Sequence, residues 1–168
     1  MVVHILHVCT SRGWVGPSVF QGLYNGLSRK VEPELLPALR YLNMRLYTYN
    51  PLAGGLLTGK HSSHREEPGE GRFALRQSYR TRYWKESFFD AVELFVTTCA
   101  QEDIAPAAAA LRWLAYHSGL DTSRGDRVIV GASSLKQLQQ NLDALSSTEL
   151  PEAVVSALDA AWDTARPD

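Results

Sequence analysis

The segment from Arg45 to Lys60 joins a short strand pattern directly to a loop that contains Pro51 and three glycines. An earlier strand pattern runs from Ser18 to Tyr24, and leucines at helical spacing follow Pro33 between the two. A helix between two neighbouring strands indicates that the strands run parallel, because antiparallel neighbours need only a short turn. This strand–helix–strand unit predicts an α/β fold in which helices cover a parallel sheet.

The second half of the chain continues the alternation of helices and strands. Its expected elements are helices at about Lys85 to Glu102, from Pro106, from Ser134 and from Pro151 to Pro167, and a strand from Arg127 to Val130. This strand is apolar enough for an interior position in the sheet. The helix that begins at Ser134 has a capping box with Gln137. Its expected buried face consists of leucines at helical spacing, namely Leu135, Leu138, Leu142 and Leu145.

The polar segment 61–83 is interpreted as one long loop. Loops of this length in a compact domain are usually functional or disordered. The segment contains Arg72, Arg76, Arg80 and Arg82. Guanidinium groups can clamp a phosphate or a substrate carboxylate through paired hydrogen bonds. The alternative is that these arginines are solvated side chains of an exposed loop.

Length and charge limit the classes of function. The 168 residues suffice for one domain, and a net charge of −1 argues against bulk electrostatic binding of nucleic acid or anionic membranes. No apolar run approaches the ~18 residues that span a bilayer. The apolar start is interpreted as a structural segment rather than a signal peptide. Cys9 and Cys99 lie far apart, which favours a reducing compartment and hence the cytoplasm.

A few polar residues have only local interpretations. His61 and His64 lack further partners in a ligand pattern, so no metal site is expected. Asp121 and Asp126 flank a loop and are interpreted as turn residues. Gln21 lies in the middle of a strand, where it is either a hydrogen-bonded core residue or a ligand contact.

The glycine loop suits an anion. Gly54 and the pair Gly59-Lys60 match the spacing of a P-loop, but His61 stands where Ser or Thr would bind Mg²⁺. A P-loop also leads directly into a helix, whereas the residues after Lys60 are loop-like. Two interpretations remain open beside a P-loop: a plain turn with helix-breaking glycines, and a cofactor loop that needs no Mg²⁺.

A second candidate anion site is the strand–turn–helix from Gly131 to Asn141. The helix start, two serine hydroxyls and Lys136 suit a phosphate, although N-capping by Ser134 alone would explain the pattern. Parallel α/β barrels often bind phosphate at the loops after their last two strands. If the strands at 45–49 and 127–130 are those two, both loops open on one face.

Six segments occur in an order and spacing that match a known family over roughly residues 13 to 163. They are FQGLYN (20–25), YNPLAGGLLTGK (49–60), GRF (71–73), YRTRYWKE (79–86), ALRW (110–113) and GASSLKQLQQN (131–141). Through them the chain resembles the C-terminal half of the aldo-keto reductases, and within these the aflatoxin aldehyde and succinic semialdehyde reductases. The family folds as a (β/α)8 TIM barrel and uses NADPH to reduce aldehydes and ketones.

The resemblance implies a fold and a set of site residues. The fold is the C-terminal part of the barrel, about three parallel strands with covering helices, in one truncated domain over residues 1–168. Gln21 would hold the nicotinamide amide, and Tyr49 would stack on its ring. The other implied NADP(H) contacts are Asn50, Pro51, Leu52, Ala53, Gly54, Gly55, Leu56, Leu57, Thr58, Gly59, Lys60, Arg72, Ser133, Ser134, Leu135, Lys136, Gln137, Gln140 and Asn141. Tyr79 and Arg82 match contacts to the aldehyde substrate.

The catalytic residues of the family set a limit on what this chain can do. The family's Asp, Tyr, Lys and His lie on its first four strands, to which these 168 residues have no counterpart, so no catalytic residue is expected. Three strands cannot close a barrel. The expectation is an NADPH-dependent aldehyde or dialdehyde reductase domain with little or no activity as this chain alone. The alternative is a non-enzymatic NADP-binding or dimer-modulating module that forms a homodimer or pairs with a full-length relative.

Overall fold

The computed structural model describes residues 2–69 and 71–166, and its sheet has three parallel strands. β1 (Val19–Leu23), β2 (Arg45–Tyr49) and β3 (Arg127–Val128) lie side by side in that order. The sheet is not closed into a barrel. The predicted parallel α/β sheet is therefore confirmed, and an open sheet of this kind is consistent with part of a (β/α)8 barrel.

Eight helices and two 3-10 turns accompany the sheet in the described ranges. The helices are α1 (Val2–Ser11), α2 (Leu35–Tyr41), α3 (Gly71–Leu75), α4 (Gln77–Tyr83), α5 (Glu86–Gln101), α6 (Pro106–Tyr116), α7 (Leu135–Leu145) and α8 (Glu152–Ala165), and the turns are Ala53–Thr58 and Thr122–Arg124. Pro167, the expected end of the last helix, lies outside the described residues.

The main core covers one face of the sheet. Leu46 and Thr48 of β2 are fully buried, whereas Tyr47 and Tyr49 are half-buried, as the alternation of side chains along a strand requires. Helices α5 and α8 pack against each other, and α6 packs against α7. The largest core side chains of these helices include Phe95, Trp113 and Leu158. The opposite sheet face, which carries Tyr47 and Tyr49, therefore remains accessible.

β3 differs from its prediction in length and position. It has two residues rather than the four from Arg127 to Val130, and it is an edge strand rather than an interior one. Ile129 still donates its N–H to the Thr48 carbonyl at 2.8 Å, but its side chain is 39% exposed. Apolar composition favours a strand, but it does not determine how many neighbouring strands pair with it.

The segment 61–83 contains two short helices, α3 and α4, where one long loop was predicted. Phe73 and Tyr83 are fully buried, and the ring of Trp84 lies 4.8 Å from that of Phe73. Trp84 also donates its indole N–H to the His64 carbonyl at 2.8 Å. These aromatic contacts hold the segment against the core. The sequence analysis interpreted the segment as a loop because most of its residues are polar.

The leucine face predicted to be buried on α7 is largely exposed. Leu135, Leu138 and Leu142 are 85%, 37% and 46% exposed, and the buried residues of the helix are Asn141 and Ala144. Helical spacing shows which residues share a face, but a face is buried only if another element covers it. The predicted N-terminus is confirmed, because the Ser134 hydroxyl accepts a hydrogen bond from the Gln137 N–H at 3.2 Å.

Asp126 is a buried junction between elements and not the turn residue that the sequence indicated. Its side chain is 0% exposed and accepts backbone N–H groups from Leu46 at 2.7 Å and from Asp121 at 2.9 Å. Arg40 of α2 binds both carboxylate oxygens, at 3.1 and 2.5 Å. Asp126 thus joins α2, the start of β2 and the turn before β3. Asp121 itself is half-buried and caps that turn, so it is the turn residue that the sequence indicated.

Candidate functional site

The loops after β2 and β3 leave the sheet at the same edge. Tyr47 is paired with Arg127 and Thr48 with Val128 in a parallel ladder, so the carboxyl ends of both strands point the same way. The glycine loop follows β2 directly, and residues 129–134 lead from β3 into α7. The geometry therefore brings together the two candidate anion loops that the sequence identified separately.

The glycine loop is held in an unusual backbone conformation. Its left-handed residues are Asn50, Ala53, Gly54, Gly55 and Gly59. Ala53, at a φ of 50°, is neither glycine nor asparagine, and such a residue adopts a positive φ only where the surroundings enforce it. The loop is therefore a fixed surface and not a flexible linker.

Most of the loop's polar backbone is satisfied internally. The N–H groups of Ala53, Gly55, Leu57 and Gly59 donate to carbonyl oxygens of the loop, and that of Gly54 donates to the Asn50 side chain at 2.9 Å. Pro51, Ala53, Leu56 and Leu57 are buried, so their side chains serve the core. Lys60 is exposed at the end of the loop, and a Cβ added at Gly55 would meet nothing within 4 Å. The accessible features of the loop are therefore the open backbone at Gly55 and the side chain of Lys60.

A buried polar network that the sequence analysis missed lies beneath this loop. The Asn25 amide donates to the Asn50 carbonyl at 2.9 Å and to the Tyr83 hydroxyl at 3.3 Å. The Asn50 amide donates to the same hydroxyl at 2.8 Å. Asn25 lies two residues after the end of β1 and Asn50 directly after the end of β2, and an asparagine close after each strand is the signal that could have indicated the contact.

Helices α3 and α4 lie over the glycine loop. A Cβ added at Gly54 would come within 2.8 Å of Tyr79 Cδ1 and 3.1 Å of Phe73 Cζ, so the loop and both helices are in close contact. The Arg72 guanidinium lies over the Tyr79 ring at 5.3 Å and is exposed. Arg80, by contrast, forms an ion pair with Glu67 at 2.7 Å.

Gln21, Tyr49 and Arg82 line one groove of about 460 Å³ beside β1. Gln21 is paired with Tyr47, two residues before Tyr49, so Gln21 and Tyr49 lie on the same accessible sheet face. Gln21 is exposed, which excludes the hydrogen-bonded core residue that the sequence left open. The structure therefore brings together the proposed nicotinamide contacts and one proposed substrate contact.

The start of α7 is partly occupied by its own capping. Gln137 accepts hydrogen bonds from the Ser133 N–H at 3.0 Å and hydroxyl at 2.7 Å, and the Asn141 amide donates to the Gly131 carbonyl at 3.3 Å. Ser133, Ser134, Gln137 and Asn141 therefore shape the turn. The exposed side chains in this segment that suit a ligand are those of Lys136 and Gln140, and Leu135 is exposed beside them.

Burial changes the acidity of side chains around the loop. It raises the pKa of the Tyr83 hydroxyl, against the opposite effect of hydrogen bonds from Asn25, Ser28 and Asn50. It lowers the pKa of His61, as does the nearby charge of Lys60. Tyr83 is therefore a neutral hydroxyl at physiological pH, and His61 favours its uncharged form beside Phe73 and Trp84.

Two negative findings concern the described part of the chain. Across residues 2–69 and 71–166, no cluster of three or more His, Cys, Asp or Glu side chains could hold a metal ion. No helix within those ranges is both long and apolar enough to cross a bilayer.

A family profile matches nearly the whole chain. The Aldo/keto reductase family matches residues 2–163. The chain belongs to this family, and the resemblance drawn from its six segments is confirmed.

The chain is similar to aflatoxin aldehyde reductases among the curated relatives. It is 48% identical to aflatoxin B1 aldehyde reductase member 2 of Rattus norvegicus and 46% identical to the protein of that name in Homo sapiens. It is 45% identical to aldo-keto reductase family 7 member A3 of Homo sapiens. Each match covers 96% of this chain but only 46%, 47% and 51% of the relative, respectively. The chain thus spans about half the length of the curated relatives it matches.

Proposed function

We propose that this chain carries the NADP(H)-binding part of an aldehyde reductase. The observation that supports this most directly is the shared sheet edge, where the glycine loop and the start of α7 open beside an accessible face that carries Tyr49 and Gln21. The names of the similar proteins support aldehydes as the substrate class.

The exposed side chains fit the parts of the cofactor. Tyr49 offers a ring face to the nicotinamide, and Gln21 offers an amide to its carboxamide. Lys60 suits the pyrophosphate and Lys136 the 2′-phosphate, since both are exposed cations at the mouths of the two loops. NADPH, when bound, supplies the hydride for aldehyde reduction. Arg82 suits a carboxylate on the substrate, because a guanidinium binds carboxylates in a bidentate manner.

NADPH is expected to quench or shift the fluorescence of the four tryptophans and to raise the melting temperature of the purified chain. At 100 times its Kd, a ligand stabilises the folded state by about 2.7 kcal/mol. NADH is the matched control, because it lacks the 2′-phosphate. Lys136→Ala should weaken NADPH binding and leave NADH binding unchanged. Absence of binding at millimolar NADPH would overturn the proposal.

Reductase turnover by this chain alone is expected to be negligible, even when NADPH binds. Hydride transfer to a carbonyl requires a positioned acid that protonates the developing alkoxide. Tyr83 is buried within its network, and Tyr49 is assigned to stacking. The assay follows NADPH consumption with a carboxylated aromatic aldehyde. A rate comparable to that of a full-length relative would contradict the expectation.

A second candidate function is that of a non-enzymatic partner. β1 is paired with β2 alone among the described strands, and its residues 20–23 line the 460 Å³ groove. An open strand edge presents backbone groups that another chain can pair with. In this proposal the chain binds a second copy or a full-length relative in the cytoplasm, where Cys9 and Cys99 would remain free thiols. Co-purification with a tagged relative supports the proposal, and a stable, monodisperse monomer in the presence of that relative argues against it.

A further inference from the structure

We propose that Asn25 and Tyr83 are positioning residues that set the conformation of the glycine loop and couple it to helix α4. The inference rests on the proposed NADP(H) role of that loop. It concerns two residues that are not among the implied cofactor and substrate contacts, and neither side chain reaches the accessible surface.

Asn50 is the residue through which the network acts. It adopts a left-handed φ of 63°, which an asparagine adopts at some cost in free energy. Its backbone carbonyl accepts a hydrogen bond from the Asn25 amide at 2.9 Å. Its side-chain amide donates a hydrogen bond to the Tyr83 hydroxyl at 2.8 Å. Its remaining side-chain oxygen accepts the Gly54 N–H at 2.9 Å. Asn50 is thus fixed on three sides, and it fixes the first glycine of the loop.

Tyr83 extends this control to a different element. It is the last residue of α4, the helix that also carries Tyr79 and Arg82. Tyr79 lies against Gly54, and Arg82 lines the groove that contains Tyr49. Because one helix bears all three side chains, a shift of α4 changes the loop surface and the groove together. The conformation of the glycine loop and the position of α4 should therefore depend on each other.

Tyr83→Phe tests this inference because it removes only the hydroxyl. Loss of a hydrogen bond to a preorganised loop is expected to raise the Kd for NADPH about fivefold to tenfold. The Kd for adenosine 2′-monophosphate, which lacks the 5′-phosphate, should not change, because the adenine and the 2′-phosphate are assigned to the segment 133–141. A general loss of structure would instead weaken the binding of both ligands. Hydrogen exchange at residues 77–83 should slow on NADPH binding in the original chain and less so in the variant.

Tyr24→Phe is the matched control. Tyr24 is another fully buried tyrosine whose hydroxyl is hydrogen-bonded, in its case to Glu32 at 2.5 Å and to the Gly119 N–H at 2.9 Å. This variant should lose stability with no change in the ratio of the two dissociation constants. Asn25→Ala provides a second variant of the network, and it should repeat the selective loss if Tyr83→Phe does not fold.

The outcomes separate this inference from the proposed function. If the original chain binds neither NADPH nor adenosine 2′-monophosphate, the proposed function fails and the inference fails with it. If the original chain binds both and the Tyr83→Phe variant binds both equally well, only the inference is overturned. The inference is also overturned if Tyr83→Phe and Asn25→Ala both weaken the binding of the two ligands equally, because the network then acts on the fold alone.

Discussion

Replacement of Asp126 by alanine is expected to lower the free energy of unfolding by about 3–5 kcal/mol, the usual effect of removing one partner of a buried ion pair. The variant leaves the Arg40 guanidinium without its carboxylate and the N–H groups of Leu46 and Asp121 without their acceptor. Leu46 begins the buried face of β2, so the damage reaches the strand that leads into the glycine loop. Urea-induced unfolding at neutral pH measures the change. A loss below about 1 kcal/mol would contradict the prediction.

Asp121→Ala is the control for this experiment. It removes the same side chain five positions earlier, but Asp121 is only half-buried and its carboxylate caps a short turn through the Ser123 and Arg124 N–H groups. Loss of such a cap costs about 1 kcal/mol. The difference between the two alanine variants therefore measures the added cost of losing the buried contacts of Asp126 with Arg40 and with the Leu46 and Asp121 N–H groups.

The pH dependence of stability gives a second measurement on Asp126. Burial alone would raise the pKa of this carboxyl, but the hydrogen bonds from Arg40 and from the Asp121 and Leu46 N–H groups hold the pKa below its usual value. A folded pKa below the unfolded value of about 3.9 means that the ionised form favours folding. This stabilisation is complete above the unfolded pKa and is lost as the pH falls through the folded pKa. As the pH falls below the unfolded pKa, the free energy of unfolding should therefore decrease less steeply in the Asp126→Asn variant than in the original chain.

Features that depend on local chemistry could be predicted from the sequence. The bounds of β2, Arg45–Tyr49, and the start of α6 at Pro106 are those expected. Strand alternation, proline and glycine act within a few residues, so the sequence alone carries their signal. The capping of α7 by Ser134 was predictable for the same reason.

Features that depend on distant partners could not be predicted in this way. Asp121 and Asp126 look alike in sequence, and the approach of Arg40 from α2 and of Leu46 from β2 distinguishes them. The α7 leucines share a face as predicted, but their exposure depends on which elements lie opposite them. Tyr83 looked like one more aromatic in a polar segment, and its role follows from asparagines 58 and 33 positions earlier in the chain.

Replacement of Gly54 by alanine is expected to lower the free energy of unfolding by about 2–4 kcal/mol and to raise the Kd for NADPH at least about tenfold. Gly54 has a φ of 74°, which strains an alanine, and the new Cβ would lie 2.8 Å from the Tyr79 ring. Helix α4 must then move away from the loop, and the surface proposed to hold the pyrophosphate changes with it. Urea-induced unfolding and fluorescence titration with NADPH measure the two effects.

Two comparisons separate the collision from the backbone strain. Gly55→Ala places an alanine at a φ of 113° with nothing within 4 Å of its Cβ, so its cost is strain alone. In a Tyr79→Ala background the nearest obstacle to Gly54→Ala is gone, so the stability cost of Gly54→Ala should fall by about 1–3 kcal/mol, the range for overpacking. An unchanged cost in that background would show that α4 does not press on the loop. The close contact between the glycine loop and α4 would then have no energetic consequence.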